Sequence, residues 1–343
     1  MKNTTTISID LAKEIFQIAV FSKHGKLLSN QAVKSKKMLE IIAQHPEANI
    51  LMEACGSAHY WGRRFSKEGH EVYLVPAHIA AKYRSGNKND ANDTLAIYEA
   101  SKRPNTYFVS VHTLEQQDLG TQHALRKGLM KERTQVANRI RGIAREYGVN
   151  FPLGIKHLYS CVPDALDDAS NELTDVARRV LRSLLDQLIT VRDLVEETTQ
   201  LLETYTQTIP SCKELQKMPG IGWLGAGALY NRIGNGSAYH RGRDVSASIG
   251  LVPMHSGSGG KNKLGGISKR GDRYLRYLLV HGARSAIYHV GDKTDGLSCW
   301  IRKQLQHNSV NKTAVALANK LSRMAWAILS SGGQYQVPVA QEA

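Results

Sequence analysis

Four acidic side chains in the first hundred residues have the types and spacing of a divalent-metal site. Asp10 ends a predicted strand in SIDLAK, and Glu53 lies near the end of another in NILMEAC. Asp90 and Asp93 are three residues apart in NDAND, which places both on one face of a predicted helix. Carboxylate oxygens suit Mg²⁺, and paired ions can stabilise both the attacking and the leaving oxygen of a phosphoryl transfer. The four acids therefore predict a Mg²⁺ site for phosphoryl transfer.

Each acid also has a purely structural explanation when it is taken alone. Asp10 fits a turn, Glu53 can pair with Arg63 or Arg64, and the two acids of NDAND fit a helix cap and a partner of the helix dipole. We favour the metal site because all four acids fall in an α/β segment of a very basic chain.

A second candidate segment, MHSGSGGKNKLGGISKRGD (Met254–Asp272), combines serines, glycines and cations. A serine hydroxyl attacks phosphorus only when a base, a metal or local positive charge favours its alkoxide, and glycines let a DNA backbone approach closely. The cations in and just after this segment can stabilise charge on a phosphate; they are Lys261, Lys263, Lys269, Arg270, Arg273 and Arg276. From spacing alone, a serine nucleophile and a flexible basic loop that only binds phosphate remain equal alternatives.

The composition indicates a polyanionic partner and a reducing compartment. The 343 residues carry a formal net charge of +15, which favours nucleic acid because Lys and Arg displace counterions from phosphates. The 4 cysteines form no CxxC pair, which argues against zinc, and they are too few and too scattered for a secreted disulfide scaffold. The first residues lack the apolar core of a signal peptide, and no apolar run is long enough to span a bilayer. We expect a cytosolic protein.

An α/β domain over residues 1–112 has to position the acids. Alternating and apolar runs predict strands, and apolar residues at helical spacing predict helices between them. The predicted strands are Thr5–Lys13 (which breaks at Asp10), Ile15–Ser22, Lys26–Val33, Asn49–Cys55 and Glu71–Ala77; the predicted helices are Lys36–His45, Ala58–Lys67 and one that starts near Asp90. Three early strands followed by strand–helix alternation predict a mixed sheet with helices on its faces.

Residues 113–209 are predicted to form a helical arm. Leu114 to Gly148 reads as one long basic helix and Asn171 to Thr208 as a second, with a loop between them. This pattern fits an antiparallel coiled-coil arm or, equally, a plain helical bundle. The basic face of the first helix supplies candidate nucleic-acid contacts, which include Arg126, Lys131 and Arg139.

Residues 210–332 are predicted to form a mainly helical C-terminal domain, with a frayed tail over 333–343. LQKMPGIGWLGAGALYNRIG (Leu215–Gly234) has the pattern of a helix, a glycine-rich hairpin and a second helix. Backbone N–H groups at Gly220 and Gly222 would suit a DNA phosphate, although a tight turn without a ligand fits the same pattern. The stretch from Tyr274 to Gly332 reads as helical.

Taken in combination, the motifs resemble those of the IS110-family transposases of bacterial insertion sequences, most closely the IS1111-type subgroup. The resemblance extends over roughly Thr5 to Ser330. Its motifs are ISIDLAK, MEACGSAHYWGR, NKNDANDTLAI, PGIGWLGAGAL and SASIGLVPMHSGSGGKNKLGGISKRGDRYLRYLLVHGARSA.

The resemblance implies which residues form the active site. It implies a RuvC-like, ribonuclease-H-type N-terminal domain whose Asp-Glu-Asp-Asp set falls on Asp10, Glu53, Asp90 and Asp93. The family's serine, which stands just before the glycine of the segment that matches SGGK, falls on Ser258. The family usually has one or two polar residues ahead of that serine; here Ser256 stands two places earlier, with a glycine between, and is the second candidate.

The resemblance also implies the reaction and the partners. It implies recombination of the element's DNA with target DNA through a circular form and a covalent serine–DNA phosphate intermediate, guided by a structured bridge RNA. It further implies dimers that pair into a tetramer through the helical arm, in the nucleoid of a bacterial cytoplasm. Two other classes stay open: a Holliday-junction-resolvase-like nuclease in which water attacks, and a non-catalytic nucleic-acid-binding scaffold.

Overall fold

The computed structural model describes residues 1, 4–87, 89–104, 106–256 and 263–337. Of residues 255, 256, 263 and 264 it describes only the backbone. The chain divides into two compact units. The first consists of residues 1–116 and 233–245, and the second of residues 117–232 and 246–343. The predicted domain boundaries at residues 112 and 209 stay a prediction.

A five-stranded mixed sheet forms the centre of the first unit. The strands are β1 (Thr6–Asp10), β2 (Ile15–Phe21), β3 (Leu27–Lys34), β4 (Asn49–Glu53) and β5 (Glu71–Val75). Their order in the sheet is β3-β2-β1-β4-β5. Strands β1, β2 and β3 pair antiparallel, while β1, β4 and β5 run parallel. This confirms the predicted mixed sheet. The bounds of β2, β3, β4 and β5 lie within two residues of the predicted ones, whereas β1 ends at Asp10, where the sequence indicated a break, and not at Lys13.

Alternating side chains of this sheet bury two apolar clusters, one on each face. One cluster holds Ile7, Ile9, Ile50 and Met52, and the other holds Leu51 together with its neighbours on β2 and β5. Successive side chains of a strand point to opposite faces, so helices on both sides are needed to cover them. These helices are α1 (Ser35–Ala43), α2 (Ala58–Lys67), α3 (Ala77–Ala80) and α4 (Asp90–Ser101).

Two long helices in the second unit run antiparallel and share a core with a short third helix. They are α5 (Leu114–Glu146), which begins in the first unit, and α7 (Asp175–Thr208), with α6 (Leu158–Asp167) between them in the chain. Side chains link α5 to α7 in reversed order, from Tyr205–Asp118 through Arg126–Thr199 to Gln187–Glu132. The two predicted long helices are confirmed, whereas α6 was expected to be loop; the coiled-coil geometry of the arm stays a prediction.

The remaining elements are helical apart from one two-stranded hairpin. They are α8 (Pro210–Gln216), α9 (Trp223–Ile233), α10 (Gly242–Ile249), β6 (Pro253–Ser256), β7 (Lys263–Ile267), α11 (Arg273–Tyr288), α12 (Gly296–His307) and α13 (Val310–Ser331). The expected helices between Tyr274 and Gly332 are confirmed, and the β6–β7 hairpin was not predicted. In the tail, the backbone N–H of Tyr335 donates to Glu214. Within the described ranges, no helix has the length and apolar character needed to cross a membrane.

Candidate functional site

Three of the four predicted acids converge at the end of β1. Asp10 is the last residue of β1, and Asp90 and Asp93 occupy the first turn of α4. One carboxylate oxygen from each lies within 4.8 Å of the others. A buried hydrogen bond from Ser8 Oγ to the carbonyl of Thr94, 2.7 Å long, fixes the start of α4 against β1. The strand and the helix together bring the three acids into one cluster, defined here as the acidic cluster.

The helix cap next to these acids is an asparagine. The side chain of Asn89 accepts from the backbone N–H of Asn92 at 2.7 Å, so Asn89 is the N-cap of α4. Asp90 and Asp93 are therefore inside the first turn rather than at the cap position. There, a negative charge is also favoured by the positive end of the helix dipole.

Glu53, the fourth predicted acid, lies at the same edge of the sheet as Asp10 but outside the acidic cluster. Parallel pairing of Ile9 with Met52 puts Asp10 and Glu53 one residue further along adjacent strands. Partial burial raises the pKa of the Cys55 thiol, and the charges of Glu53 and Asp10 raise it further, so both carboxylates act on this one sulfur.

The ion pairs considered for Glu53 in the sequence are wrong. Arg64 pairs with Glu68 at 3.2 Å. Arg63 donates to the carbonyl of His112 at 2.9 Å. Neither guanidinium forms an ion pair with the Glu53 carboxylate, so the ion-pair explanation for this acid does not apply.

An arginine that the sequence did not single out contacts the acidic cluster. The Nε of Arg84 donates to Oδ1 of Asp93 in an ion pair, with side chains 25% and 13% exposed. Arg84 lies in the segment that leads into α4, nine residues before its partner. Its only signal in the sequence was a cation just ahead of two paired acids, which is too common a pattern to be selected.

The donor set of the acidic cluster fits a hard divalent cation. It offers carboxylate oxygens alone, the ligands that Mg²⁺, Mn²⁺ and Ca²⁺ accept. Three carboxylates this close also repel one another, and a divalent ion or a cationic side chain relieves that repulsion. Asp10, Asp90 and Asp93 are the residues that would hold such an ion, with Glu53 at the adjacent strand end.

The serine-rich segment is bracketed by the β6–β7 hairpin. Its antiparallel register pairs residue 255 with 264 and 256 with 263. Ser258 and Lys261 lie outside the described residues, and only the backbone of Ser256 and Lys263 is described. The nucleophile assignment therefore stays a prediction.

The turn that follows β7 is held against the end of α10. A Cβ on Gly271 would lie 1.8 Å from the carbonyl oxygen of Ser248, so only glycine fits this approach. Arg276 reaches back from α11 and donates to the carbonyl of Ile249 at 2.6 Å and to that of Arg270 at 3.2 Å. Asp272 caps α11 by accepting from Leu275 N–H at 2.9 Å.

The other predicted cations differ in how far solvent reaches them. Lys269, Arg270 and Arg273 are exposed, whereas Arg276 is half-buried in its carbonyl contacts. On α5, Lys131 and Arg139 are exposed, while Arg126 is half-buried and donates to Thr199 at 2.8 Å. The exposed cations keep their side chains available to a polyanion, and the two half-buried ones already satisfy acceptors of the chain itself.

The two predicted hairpin glycines lie in different surroundings. Gly220 has a φ of +81° and packs against the backbone of Gly282. Among the residues that the structure describes, no atom lies within 4 Å of the position that a Cβ on Gly222 would take. Gly220 therefore has a structural reason to be glycine, and Gly222 has open space beside it.

Comparison with known proteins decides the family. Residues 7–149 match a transposase domain model of the DEDD type named for IS110, and residues 212–296 match the model described as "Transposase IS116/IS110/IS902 family". The chain belongs to this transposase family. The first match contains all four predicted acids, and the second contains both candidate serines and the cations that follow them.

Relatives that match this chain over nearly its whole length are also named as transposases. This transposase is 36% identical over 336 residues to the transposase for insertion sequence element IS1111A of Coxiella burnetii, with 98% of this chain and 92% of the relative covered. It is 35% identical to the transposase for insertion sequence element IS1328 of Yersinia enterocolitica, with 97% and 98% covered. It is also 35% identical to a probable family 20 transposase of Pseudomonas aeruginosa, with 96% and 97% covered.

Proposed function

We propose that this transposase is a Mg²⁺-dependent recombinase that cuts and rejoins DNA strands through Ser258. The convergence of Asp10, Asp90 and Asp93 in a chain of this family is the observation that carries the proposal. The strand order β3-β2-β1-β4-β5, with an acid at the end of the central strand, supports a ribonuclease-H-type, RuvC-like domain.

In this proposal the four acids hold the metal and Ser258 is the nucleophile. When bound, Mg²⁺ would supply positive charge that stabilises the serine alkoxide and the negative charge on the phosphate under attack. The Oγ of Ser258 loses its proton and forms a bond to phosphorus, while the bond from phosphorus to the DNA 3′-oxygen breaks and leaves a 3′-hydroxyl. A 3′-hydroxyl of the partner strand later attacks the same phosphorus and releases the serine. Because the serine ester conserves the energy of the broken phosphodiester bond, rejoining needs no ATP.

The cations around the hairpin have two roles in this proposal: most bind the phosphate, and one stabilises the turn. Lys261, Lys263, Lys269, Arg270 and Arg273 supply positive charge to the phosphate under attack. Arg276 keeps the turn in place through its carbonyl contacts. Gly222 offers a backbone approach without a side chain in the way.

The partners follow from the charge and from the family. A net charge of +15 and exposed cations on α5 such as Lys131 and Arg139 suit element and target DNA and a structured bridge RNA. We also propose that dimers pair into a tetramer through the helical arm. Strand exchange needs several active sites at one junction, which an assembly of this size provides.

A covalent adduct tests the proposal. The full chain, the element's end DNA with a labelled strand and the transcript of its flanking non-coding region would be incubated with Mg²⁺ and run on a denaturing gel. We expect a protein–DNA adduct that is lost in Ser258→Ala and in Asp10→Asn and kept in Ser256→Ala. Cleaved DNA without any adduct would instead establish the nuclease in which water attacks.

A further inference from the structure

The ion pair between Arg84 and Asp93 joins a cation to a carboxylate of the acidic cluster. Both side chains are largely buried, at 25% and 13% exposure, so water screens the pair less than it would at a fully exposed site. The bond uses the Nε of Arg84 and Oδ1 of Asp93. Nη1 and Nη2 belong to the same planar fork and remain as further donors.

A guanidinium and a divalent ion compete for the same carboxylate. The three acids lie close enough to share one ion, and Arg84 takes up an oxygen of one of them. A cation bound to the cluster would have to displace the guanidinium or share its acceptor, and the two positive charges repel each other at such distances. The pair therefore opposes metal binding and relieves the repulsion among the acids when no metal is bound.

We propose that Arg84 is a displaceable counter-ion: it holds Asp93 in the metal-free protein and passes to a phosphate oxygen of the DNA when the divalent cation takes its place. This inference rests on the proposed metal-dependent function. A guanidinium released from Asp93 remains at the edge of the acidic cluster, where the scissile phosphate would bind. Arg is suited to both partners because its fork matches carboxylate and phosphate alike.

The backbone favours such an exchange. Arg84 follows a short 3-10 turn and has an extended conformation, with φ −67° and ψ 123°. It is outside α4, which carries Asp90 and Asp93, so its side chain can move without moving the metal ligands. Asn89 and Ser8 hold the start of α4 independently of Arg84.

Metal affinity tests the first half of the proposal. Isothermal titration of the full chain with Mn²⁺, without DNA, would compare the wild type with Arg84→Gln and with Lys82→Gln, a matched loss of one exposed charge two residues away. We expect Arg84→Gln to bind Mn²⁺ about fivefold more tightly. This factor corresponds to the loss of an ion pair whose interaction free energy is at the upper end of the range measured for exposed pairs. Lys82→Gln should change the affinity less than about twofold, because a solvated charge is screened by salt.

DNA affinity tests the second half. Binding of end DNA would be measured in Ca²⁺ and in EDTA for the wild type, Arg84→Gln and Arg84→Lys. We expect Arg84→Gln to lose about fivefold or more in Ca²⁺ and clearly less in EDTA, where the wild-type guanidinium is occupied by Asp93. Arg84→Lys should fall between, because it keeps the charge and loses the fork.

The outcomes separate this inference from the function on which it rests. Equal or weaker Mn²⁺ binding by Arg84→Gln, with a wild type that binds Mn²⁺, would overturn the role of Arg84 and leave the metal site standing. A loss of DNA affinity that is the same in Ca²⁺ and EDTA would overturn the transfer to phosphate. Absence of Mn²⁺ binding in both the wild type and Arg84→Gln would overturn the metal site and this inference together. Thermal melting of Arg84→Gln in EDTA would verify that the variant is folded.

Discussion

The backbone of Gly220, in the turn between α8 and α9, lies directly against that of Gly282 in α11. A Cβ on Gly220 would be 2.3 Å from the carbonyl oxygen of Gly282, and a Cβ on Gly282 would be 2.0 Å from the carbonyl oxygen of Gly220. Backbone atoms cannot move aside as the end of a side chain can, so this contact requires two glycines. The glycine-rich hairpin is therefore also a packing element of the second unit.

Replacement of Gly220 by alanine is expected to destabilise the protein by about 3 kcal/mol. The positive φ costs about 1 kcal/mol for a residue with a Cβ, and overpacking against a backbone adds the rest. Gly222→Ala is the matched control, because it meets no atom within 4 Å. Urea unfolding of the two variants measures the difference. Equal stability of Gly220→Ala and Gly222→Ala would contradict the packing role.

Replacement of Arg178 on α7 is expected to destabilise the protein even when the new residue is lysine. Its guanidinium donates to the carbonyls of Ala165, Leu166, Asp168 and Leu173 and to the side chain of Asn171, at 2.6 to 3.1 Å. These acceptors belong to the end of α6 and the loop after it. We expect Arg178→Lys to lower the free energy of unfolding by about 2 to 4 kcal/mol, since a single ammonium cannot reach all of them.

The neighbouring arginine provides the control for this measurement. Arg179 is exposed and makes one long contact, 3.4 Å, to the carbonyl of Asp175. Arg179→Lys should change the free energy of unfolding by less than about 0.5 kcal/mol. Chemical denaturation compares the two substitutions in the same assay, and similar losses in both would show that the carbonyl contacts of Arg178 contribute little.

His123 is expected to make the protein less stable in mild acid. Burial lowers its pKa to about 4, with the charge of Arg126 acting in the same direction and that of Asp272 opposing it. Its side chain contacts Tyr274 Oη through Nδ1 at 3.2 Å, and the residue is 5% exposed. In the unfolded chain the imidazole takes up a proton below about pH 6.5. The folded protein resists that proton until about pH 4.

The sign of this effect follows from proton uptake. Between about pH 6.5 and pH 4 the unfolded state binds more protons, so the free energy of unfolding falls as the pH falls. We expect a loss of about 2 kcal/mol between pH 7.5 and pH 5 from this residue. His123→Asn should flatten that slope, whereas removal of the exposed His281 as His281→Asn should leave it unchanged. Urea unfolding at both pH values gives the slopes, and parallel slopes for all three proteins would contradict the assignment.

The rate at which the Cys55 thiol is alkylated is expected to depend on the charges of Glu53 and Asp10 beside it. Burial, then Glu53 and Asp10, raise its pKa, so iodoacetamide should modify it more slowly near pH 8 than an ordinary thiol. Glu53→Gln should speed the reaction because it removes one negative charge near the thiol. Mn²⁺ should speed it as well because the ion offsets the negative charge of the acids, and EDTA should reverse this effect. The rate would be followed by mass spectrometry with Cys161 and Cys299 replaced by serine. Glu68→Gln, which removes a carboxylate paired with Arg64, is the control and should have no effect.

The five strands and the helices α1, α2 and α4 of the first unit could be predicted from the sequence, whereas α3 was not predicted. Short apolar runs and helical spacing depend only on neighbouring residues, and the acids stand at element ends where such runs stop. Asp10, Glu53, Asp90 and Asp93 could therefore be predicted as one site, and the structure brings Asp10, Asp90 and Asp93 into one cluster with Glu53 outside it. The family motifs extended that prediction to Ser258, which lies outside the described residues.

Packing between distant segments distinguishes residues that are chemically alike. Gly220 and Gly222 look alike in the sequence, yet one packs on Gly282 and the other is open. Arg84 became a candidate only because its guanidinium contacts Asp93. The helix α6 was missed because it is only 10 residues long and contains Pro163, which argues against a helix, so packing against the two long helices has to stabilise it. Contacts of this kind depend on packing between segments distant in sequence, and local composition and spacing carry no information about them.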